Sequence, residues 1–186
     1  MERKRIVITG GPGTGKTAII NALESSGHYC FQEIIRSMTL EAKKEWGLDT
    51  QGTNPIAFVD DSKSFNTQLL NGRLDQFKKA SELKEKMVFY DRGMPDVMAY
   101  MDYFEQAYEE NFTETCTLNK YDHAFILPPW KEIYVQDNER LESYTQAIAI
   151  HDHLEKTYTS LGYKVLEVPF GAVRDRKDFI LNNIQK

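Results

Sequence analysis

Gly10-Gly11-Pro12-Gly13-Thr14-Gly15-Lys16-Thr17 is the stretch from which the rest of the chain is read. It fits G-x-x-x-x-G-K-[ST], the Walker A phosphate-binding loop. Its flanks are what such a loop needs. Lys4 to Thr9 (KRIVIT) is a short β-branched run that reads as a buried strand, and Ala18 to Leu23 (AIINAL) continues as a helix. In the order strand, glycine loop, helix, successive backbone N–H groups turn inward around phosphate oxygens, since glycine lets the chain come that close. The helix N-terminus adds partial positive charge and Lys16 a full one. Thr17 offers its hydroxyl to Mg²⁺. Gly10 to Thr17 therefore predicts a nucleoside triphosphate site, with ATP expected over GTP.

The remainder of the composition is compatible with that expectation. The chain has 186 residues, 41% hydrophobic and 27% charged, which suits one globular domain over 1–186 with a proper core. The net charge of −5, with no basic tract beyond Arg3-Lys4-Arg5, recommends neither nucleic acid nor a membrane as partner. No apolar run reaches the length of a membrane span. Cys30 and Cys116 have no metal-ligand spacing, and the start runs straight into the first strand without a signal peptide. A cytoplasmic protein with free thiols is expected.

Four more apolar runs follow: His28 to Gln32, Met87 to Asp91, Asp122 to Leu127 and Tyr163 to Val168. Between them the pattern predicts a helix over Glu41 to Trp46, a polar loop over Gly47 to Asn54, and a long helix from Ile56 to about Lys86, with Asn71-Gly72 as a possible break. Pro95 opens a helix with a Val97, Met101, Phe104, Tyr108 stripe. Ser143 to Leu161 is amphipathic, with Ala147, Ile150, Leu154, Tyr158 and Leu161 inward and Gly162 as its cap. Arg174 to Ile184 closes the chain. Strands alternating with helices predict an α/β doubly wound fold with a five-stranded parallel sheet. A helical substrate-side region is expected over about 33–86. A polar lid is expected over about 128–143, with no periodic apolar face to pin Trp130 to Ser143. Ligands in such sheets bind beyond the carboxyl ends of the strands. That gathers the loop, Glu33, Arg36, Asp91, Arg92 and the segment after Leu127 around one crevice.

The neighbours of Asp91 separate kinds of phosphate-loop protein. Motor-type ATPases follow this acid with a glutamate that polarises water, whereas here Arg92-Gly93 follows and the next acid is Asp96. Asp91 suits a role on Mg²⁺ or as acceptor of a substrate proton, and Arg92 suits a grip on an anionic group or a structural ion pair. Asn119-Lys120-Tyr121-Asp122 comes close to a guanine-reading motif but precedes its strand instead of following one, and is read as coincidence. Asp60-Asp61 and Asp137 read as solvated acids, and His151 and His153 lack the partners that chemistry would need.

Tyr90-Asp91-Arg92-Gly93, Pro95-Asp96 and Ala99-Tyr100, with Glu33-x-x-Arg36, Pro129-Trp130 through Arg140 and Leu161-Gly162-Tyr163, resemble the small AAA_28-type phosphate-loop proteins. These are similar to the nicotinamide-riboside kinase domain of NadR-type proteins and, more broadly, to nucleoside and nucleotide kinases. The resemblance implies an ATP-dependent small-molecule kinase using Mg²⁺, with a nucleoside-like or other small acceptor. It implies Lys16, Asp91, Arg92, Arg140 and Glu33 as catalytic residues, Glu33, Arg36 and Arg92 at the acceptor, and Thr17 and Asp91 at the metal. Each keeps a plainer alternative: Glu33 as an acid complementing a helix dipole, Arg140 as part of a solvated face. Trp130 to Ser143 supplies only Arg140 and Lys131 as cations, fewer than kinase lids carry, so a nucleotide-dependent switch with slow hydrolysis of ATP or GTP is the alternative function.

Overall fold

The computed structural model describes residues 3–35, 62–134 and 142–184. Its centre is β1 (Lys4–Gly10), whose Ile6, Val7 and Ile8 are fully buried. Around it stand β2 (Tyr29–Phe31), β3 (Met87–Asp91), β4 (His123–Leu127) and β5 (Val165–Glu167) in the order β2-β3-β1-β4-β5, every neighbouring pair parallel. The expected five-stranded parallel sheet is therefore the observed one.

Parallel strands need crossovers, and the crossovers cover both faces. Successive side chains of a strand point to opposite faces, so Ile6 and Ile8 go one way and Val7 the other. On the first face, Ile19, Ile20 and Leu23 of α1 (Lys16–Ser25) meet Phe89, Phe125 and Leu127, with Ile180 and Ile184 of α6 (Val173–Ile184). On the second, Phe65, Leu69 and Leu70 of α2 (Ser62–Lys79) join Met94, Val97, Met98 and Met101 of α3 (Met94–Tyr103) against Val7, Val88 and Tyr90. Ile150 and Leu154 of α5 (Tyr144–Ser160) lie against Ala99 and Ile126. Ser143 caps α5 by accepting from the Gln146 N–H, and Gln146 returns a bond to the Ser143 N–H.

Several expected boundaries move. The long helix is α2 followed by a 3₁₀ turn, Ala80–Glu82, and it runs through Asn71-Gly72 without a break. Gly72 is tolerated there because the Ile34 side chain occupies the space a Cβ would take. The residues expected at Glu41 to Trp46, Gly47 to Asn54 and Pro55 to Asp61 lie outside the described ones. Helix α3 ends at Tyr103, so Phe104 leaves the stripe and is 43% exposed. A helix at Glu110–Leu118, α4, had no strong signal, since only Phe112 and Cys116 of it are buried. Strands β2 and β5 at the edges are three residues each, shorter than their apolar runs. Trp130 to Tyr134 does have an apolar anchor. After the 3₁₀ turn Lys131–Ile133, the Tyr134 ring lies against Gly13 and the edge of Tyr144, and Ile133 against Gly15. Residues 135–141 lie outside the described ones.

Gly93 marks a tight point of the second face. A Cβ there would stand 2.6 Å from the Tyr158 hydroxyl, 2.8 Å from the Tyr121 ring and 2.9 Å from Val7. Three elements converge on one missing methyl. Gly93→Ala is expected to lower stability by about 1–3 kcal/mol, the usual cost of overpacking, as read from chemical denaturation midpoints at unchanged slope.

Candidate active site

The crevice lies beyond the carboxyl ends of β1, β3 and β4. Pairing of Ile8 with Asp91 and of Gly10 with Leu127 brings those three ends level, with the loop in the middle. Gly15 precedes α1 with φ 87°, a left-handed turn that glycine adopts without strain. That turn lets Lys16 fold back over the loop, where its Nζ donates to the Gly10 carbonyl at 2.8 Å and the Gly11 carbonyl at 2.7 Å. Thr14 Oγ1 also bonds to the Gly11 carbonyl, at 3.0 Å. Burial foremost, and then the Arg92 charge, lower the Lys16 pKa from 10.5 to about 7, despite Asp91, Glu33 and Asp96 nearby. Thr17, one residue further into α1, is half-buried.

Asp91 ends β3 buried in the field of Lys16. The next residue, Arg92, takes φ 72°, a left-handed conformation that costs an L-residue on the order of 1–2 kcal/mol. The distortion aims its guanidinium back across the crevice. Arg92 Nε lies 2.5 Å from Glu33 Oε2, its Nη1 is 3.3 Å from both Asp96 Oδ1 and the Gly10 carbonyl, and the group stacks over the Tyr100 ring at 5.2 Å. Burial alone would lower the Arg92 pKa, but Tyr100, Glu33, Asp96 and Asp91 outweigh it and hold the charge firmly.

Two residues that sequence reasoning missed complete this group. Arg73, 2% exposed on α2, binds Glu33 Oε1 at 3.1 Å through Nη2 and the Gly93 carbonyl at 2.8 Å through Nη1. Asp96, 1% exposed, accepts from Thr9 Oγ1 at 2.6 Å, the Tyr158 hydroxyl at 2.7 Å and the Gly93 N–H at 2.9 Å. Burial pushes the Asp96 pKa up, yet Arg73, Arg92 and the Thr9 and Tyr158 hydrogen bonds leave it below the usual carboxylate value. Glu33 is thus held at both oxygens, by Arg73 and by Arg92.

Of the expected site residues, Gly10 to Thr17, Glu33, Asp91 and Arg92 are brought together, while Arg36 and Arg140 lie outside the described residues. Lys131 is exposed on its turn. Asn119 to Asp122 lies at the other end of the sheet, with Asp122 bound to the Arg5 N–H at the start of β1. His151 is buried beside Glu167 at 3.9 Å and His153 rests against Tyr103. Burial pushes the Cys30 and Cys116 thiols up to about 12, which leaves no thiolate for nucleophilic work at neutral pH. Among the described residues no group of three His, Cys, Asp or Glu side chains could hold a metal by itself, and no helix is long and apolar enough to cross a membrane. The Thr17 hydroxyl and Asp91 carboxylate are hard oxygen donors, which fits Mg²⁺, an ion that keeps waters and takes its other ligands from phosphates.

Lys16 carries a pH signature. Its folded pKa lies below its unfolded one, so between pH 7 and 10.5 the unfolded chain binds the extra proton and stability rises with pH. The difference in unfolding free energy between wild type and Lys16→Met is expected to shift in favour of wild type across that window, by at most about 1.4 kcal/mol per pH unit. Denaturation titrations at several pH values read this directly.

Solved structures share the fold that carries this crevice. In TM-score the chain superposes at 0.71 on the NadR protein solved with NR, at 18% identity, over 98% of this chain and 49% of that one. It superposes at 0.65 on deoxyadenosine kinase from M. mycoides solved with dATP, at 16% identity, over 98% and 100%. For thymidylate kinase from Candida albicans the value is 0.69, at 16% identity, over 99% and 92%. These likenesses establish a kinase-like phosphate-loop fold. A nucleotide-binding protein of Pseudomonas fluorescens (strain SBW25) is 25% identical over 111 residues, 59% of this chain, and the chain spans only 35% of that protein's length. The AAA_28 family model, an AAA domain, matches residues 5–176, and the chain belongs to that family.

Proposed function

We propose that the chain binds MgATP at Gly10 to Thr17 and transfers the γ-phosphoryl to a hydroxyl of a small, nucleoside-like acceptor, in the cytoplasm. The observation that carries this reading is Glu33, a carboxylate just beyond β2 with each oxygen on a different arginine. In a site for a phosphate-bearing acceptor, Arg73 and Arg92 would face the anion; here Glu33 and Asp96 already neutralise them. A neutral hydroxyl suits that balance better than a second dianion.

Each residue then has a task. Loop amides and Lys16 take the β- and γ-phosphates, Lys16 exchanging the Gly10 and Gly11 carbonyls for phosphate oxygens and regaining full charge. Thr17 and Asp91 would hold Mg²⁺, which when bound neutralises charge on the phosphates. Arg73 orients Glu33 for the acceptor hydroxyl. As the acceptor oxygen bonds to the γ-phosphorus and the β–γ bridging P–O bond breaks, the hydroxyl proton passes to a Glu33 oxygen, and Arg92 stabilises charge beside Gly10. Asp96 is too fully engaged to polarise water, which counts against fast hydrolysis. Arg36 and Arg140 remain proposals of the family resemblance. A second reading, a nucleotide-dependent switch with slow hydrolysis, draws on Lys16 being bonded to the loop's own carbonyls, a self-satisfied resting state.

ATP consumption with and without a panel of nucleosides and phosphorylated metabolites tests the choice. Acceptor-dependent ADP formation with a nucleoside supports the kinase, and acceptor-independent hydrolysis stimulated by a protein partner supports the switch. Calorimetric titration should favour ATP, and a clear GTP preference would overturn that assignment. Lys16→Ala is expected to abolish phosphate affinity with the fold intact. Asp91→Asn should bind nucleotide but lose turnover. Glu33→Gln should lower kcat by about 10²–10⁴ with little change in KM for ATP. If Glu33→Gln turns over at the wild-type rate, Glu33 is not the base.

A further inference from the structure

On the outer side of the loop, away from Glu33 and Asp91, Arg176 of α6 is 2% exposed. Its Nη2 donates to the Thr14 carbonyl at 3.0 Å, and Nη1 lies 2.9 Å from where a Cβ on Gly15 would stand. Its guanidinium sits over the Trp130 ring at 5.6 Å, and Trp130 in turn packs on Phe170 at 5.1 Å. Among the described residues no carboxylate pairs with Arg176, and its buried Nε has no hydrogen-bond partner. On its own helix Asp178 is turned elsewhere, toward Arg174 and Lys177. Burial alone lowers its pKa. A desolvated cation with no countercharge is costly, and an anion within reach offsets that cost. The other cations beside the crevice, the buried Lys16 and Arg73 and the half-buried Arg92, all feel nearby carboxylates. Arg176 is the exception, and it stands directly against the phosphate loop.

We propose that Arg176 is a positioning residue of the donor site. Its charge is completed by the phosphate tail of the bound nucleoside triphosphate, while its bond to Thr14 and its stacking on Trp130 hold the outer wall of the loop in place. The proposal rests on the nucleotide reading of Gly10 to Thr17. Arg176 acts through space and through Thr14, and makes no bond in the transfer itself. The half-buried Trp130 and the 56% exposed Phe170 form an apolar shelf beside it. A polyanion with a flat apolar end matches this pairing of shelf and cation, and a nucleoside triphosphate has that chemistry.

Charge and packing make different predictions along a phosphate series. If Arg176 acts by charge, Arg176→Gln should weaken ATP by about tenfold, ADP by less and AMP least, because each added phosphate charge loses one attraction. Arg176→Lys should recover most of the ATP affinity. Trp130→Ala, which removes the ring beneath the guanidinium but keeps the Arg176 charge and its bond to Thr14, should weaken all three ligands alike. Calorimetric titration of the full chain, with unfolding midpoints recorded for every variant, reads these outcomes. Equal loss across the series in Arg176→Gln, or no loss, overturns the proposal and leaves nucleotide binding standing. Wild type binding none of the three overturns the nucleotide reading and this proposal with it. Should Arg176→Gln fail to fold, Arg176→Met, which also removes the charge, is titrated in its place and read against Arg176→Lys. A change graded from ATP to AMP supports the charge role, and a flat or absent change overturns it.

Discussion

Asp96 is the side chain on which the geometry of the crevice depends. One buried carboxylate binds Thr9 on β1, the Gly93 amide in the turn after β3, Tyr158 on α5 and Arg92. Isolating such a charge from water costs several kcal/mol, and only a full set of partners offsets it. Asp96 has three donors and a cation. Because its folded pKa is depressed, the stability it supplies is present above the ordinary carboxylate range and is lost as pH falls through the folded value. The arrangement also explains the left-handed backbone at Arg92. The ion pairs to Glu33 and Asp96 and the bond to Gly10 form only when the guanidinium turns back over the loop, and they offset the strain.

The resulting charge pattern is uneven along the crevice. Around Glu33 and Asp91, the cations Lys16, Arg73 and Arg92 face the anions Glu33, Asp91 and Asp96, three against three. On the far side of the loop Arg176 stands without a carboxylate among the described residues. A net charge of −5 for the whole chain is therefore compatible with a locally positive donor end. What governs an anionic ligand is the field at the mouth, where low-dielectric walls concentrate it, and not the sum over the surface.

What the sequence disclosed follows from how local each signal was. The phosphate loop and β3 are contiguous motifs in apolar runs, and both stand where they were expected. Helix α4 was illegible because Phe112 and Cys116 are its only buried residues, too few to print a period. Arg73 reads as one more cation on a polar helix, and only its contact with Glu33, 40 residues away, reveals that it is buried. Arg176 is further still, 162 residues from the Thr14 carbonyl it binds. Its own neighbourhood, Val173 to Asp178, has the charge pattern of a solvated turn. Asp96 was visible as the next acid after Asp91 and as part of the family resemblance, with nothing to mark it as buried. Buried polar groups are set by pairings between distant segments, and periodicity carries no record of them.

The strand order gives these pairings a division of labour. With β1 central, the chain passes first to the β2-β3 side and later to the β4-β5 side. The first half therefore supplies Glu33, Arg73, Asp91, Arg92 and Asp96 to one flank of the loop. The second half supplies Trp130, Phe170 and Arg176 to the other. In the proposed reaction the first flank faces the acceptor and the second the donor, and Gly10 to Thr17 is where the two meet. Lys16 and Arg92 both touch the Gly10 carbonyl, so a phosphate that draws Lys16 away leaves that carbonyl to Arg92 alone. Arg92 also holds Glu33. Donor binding would then reach the acceptor carboxylate through one backbone oxygen and one arginine, a route short enough for each ligand to bias the other without moving the sheet.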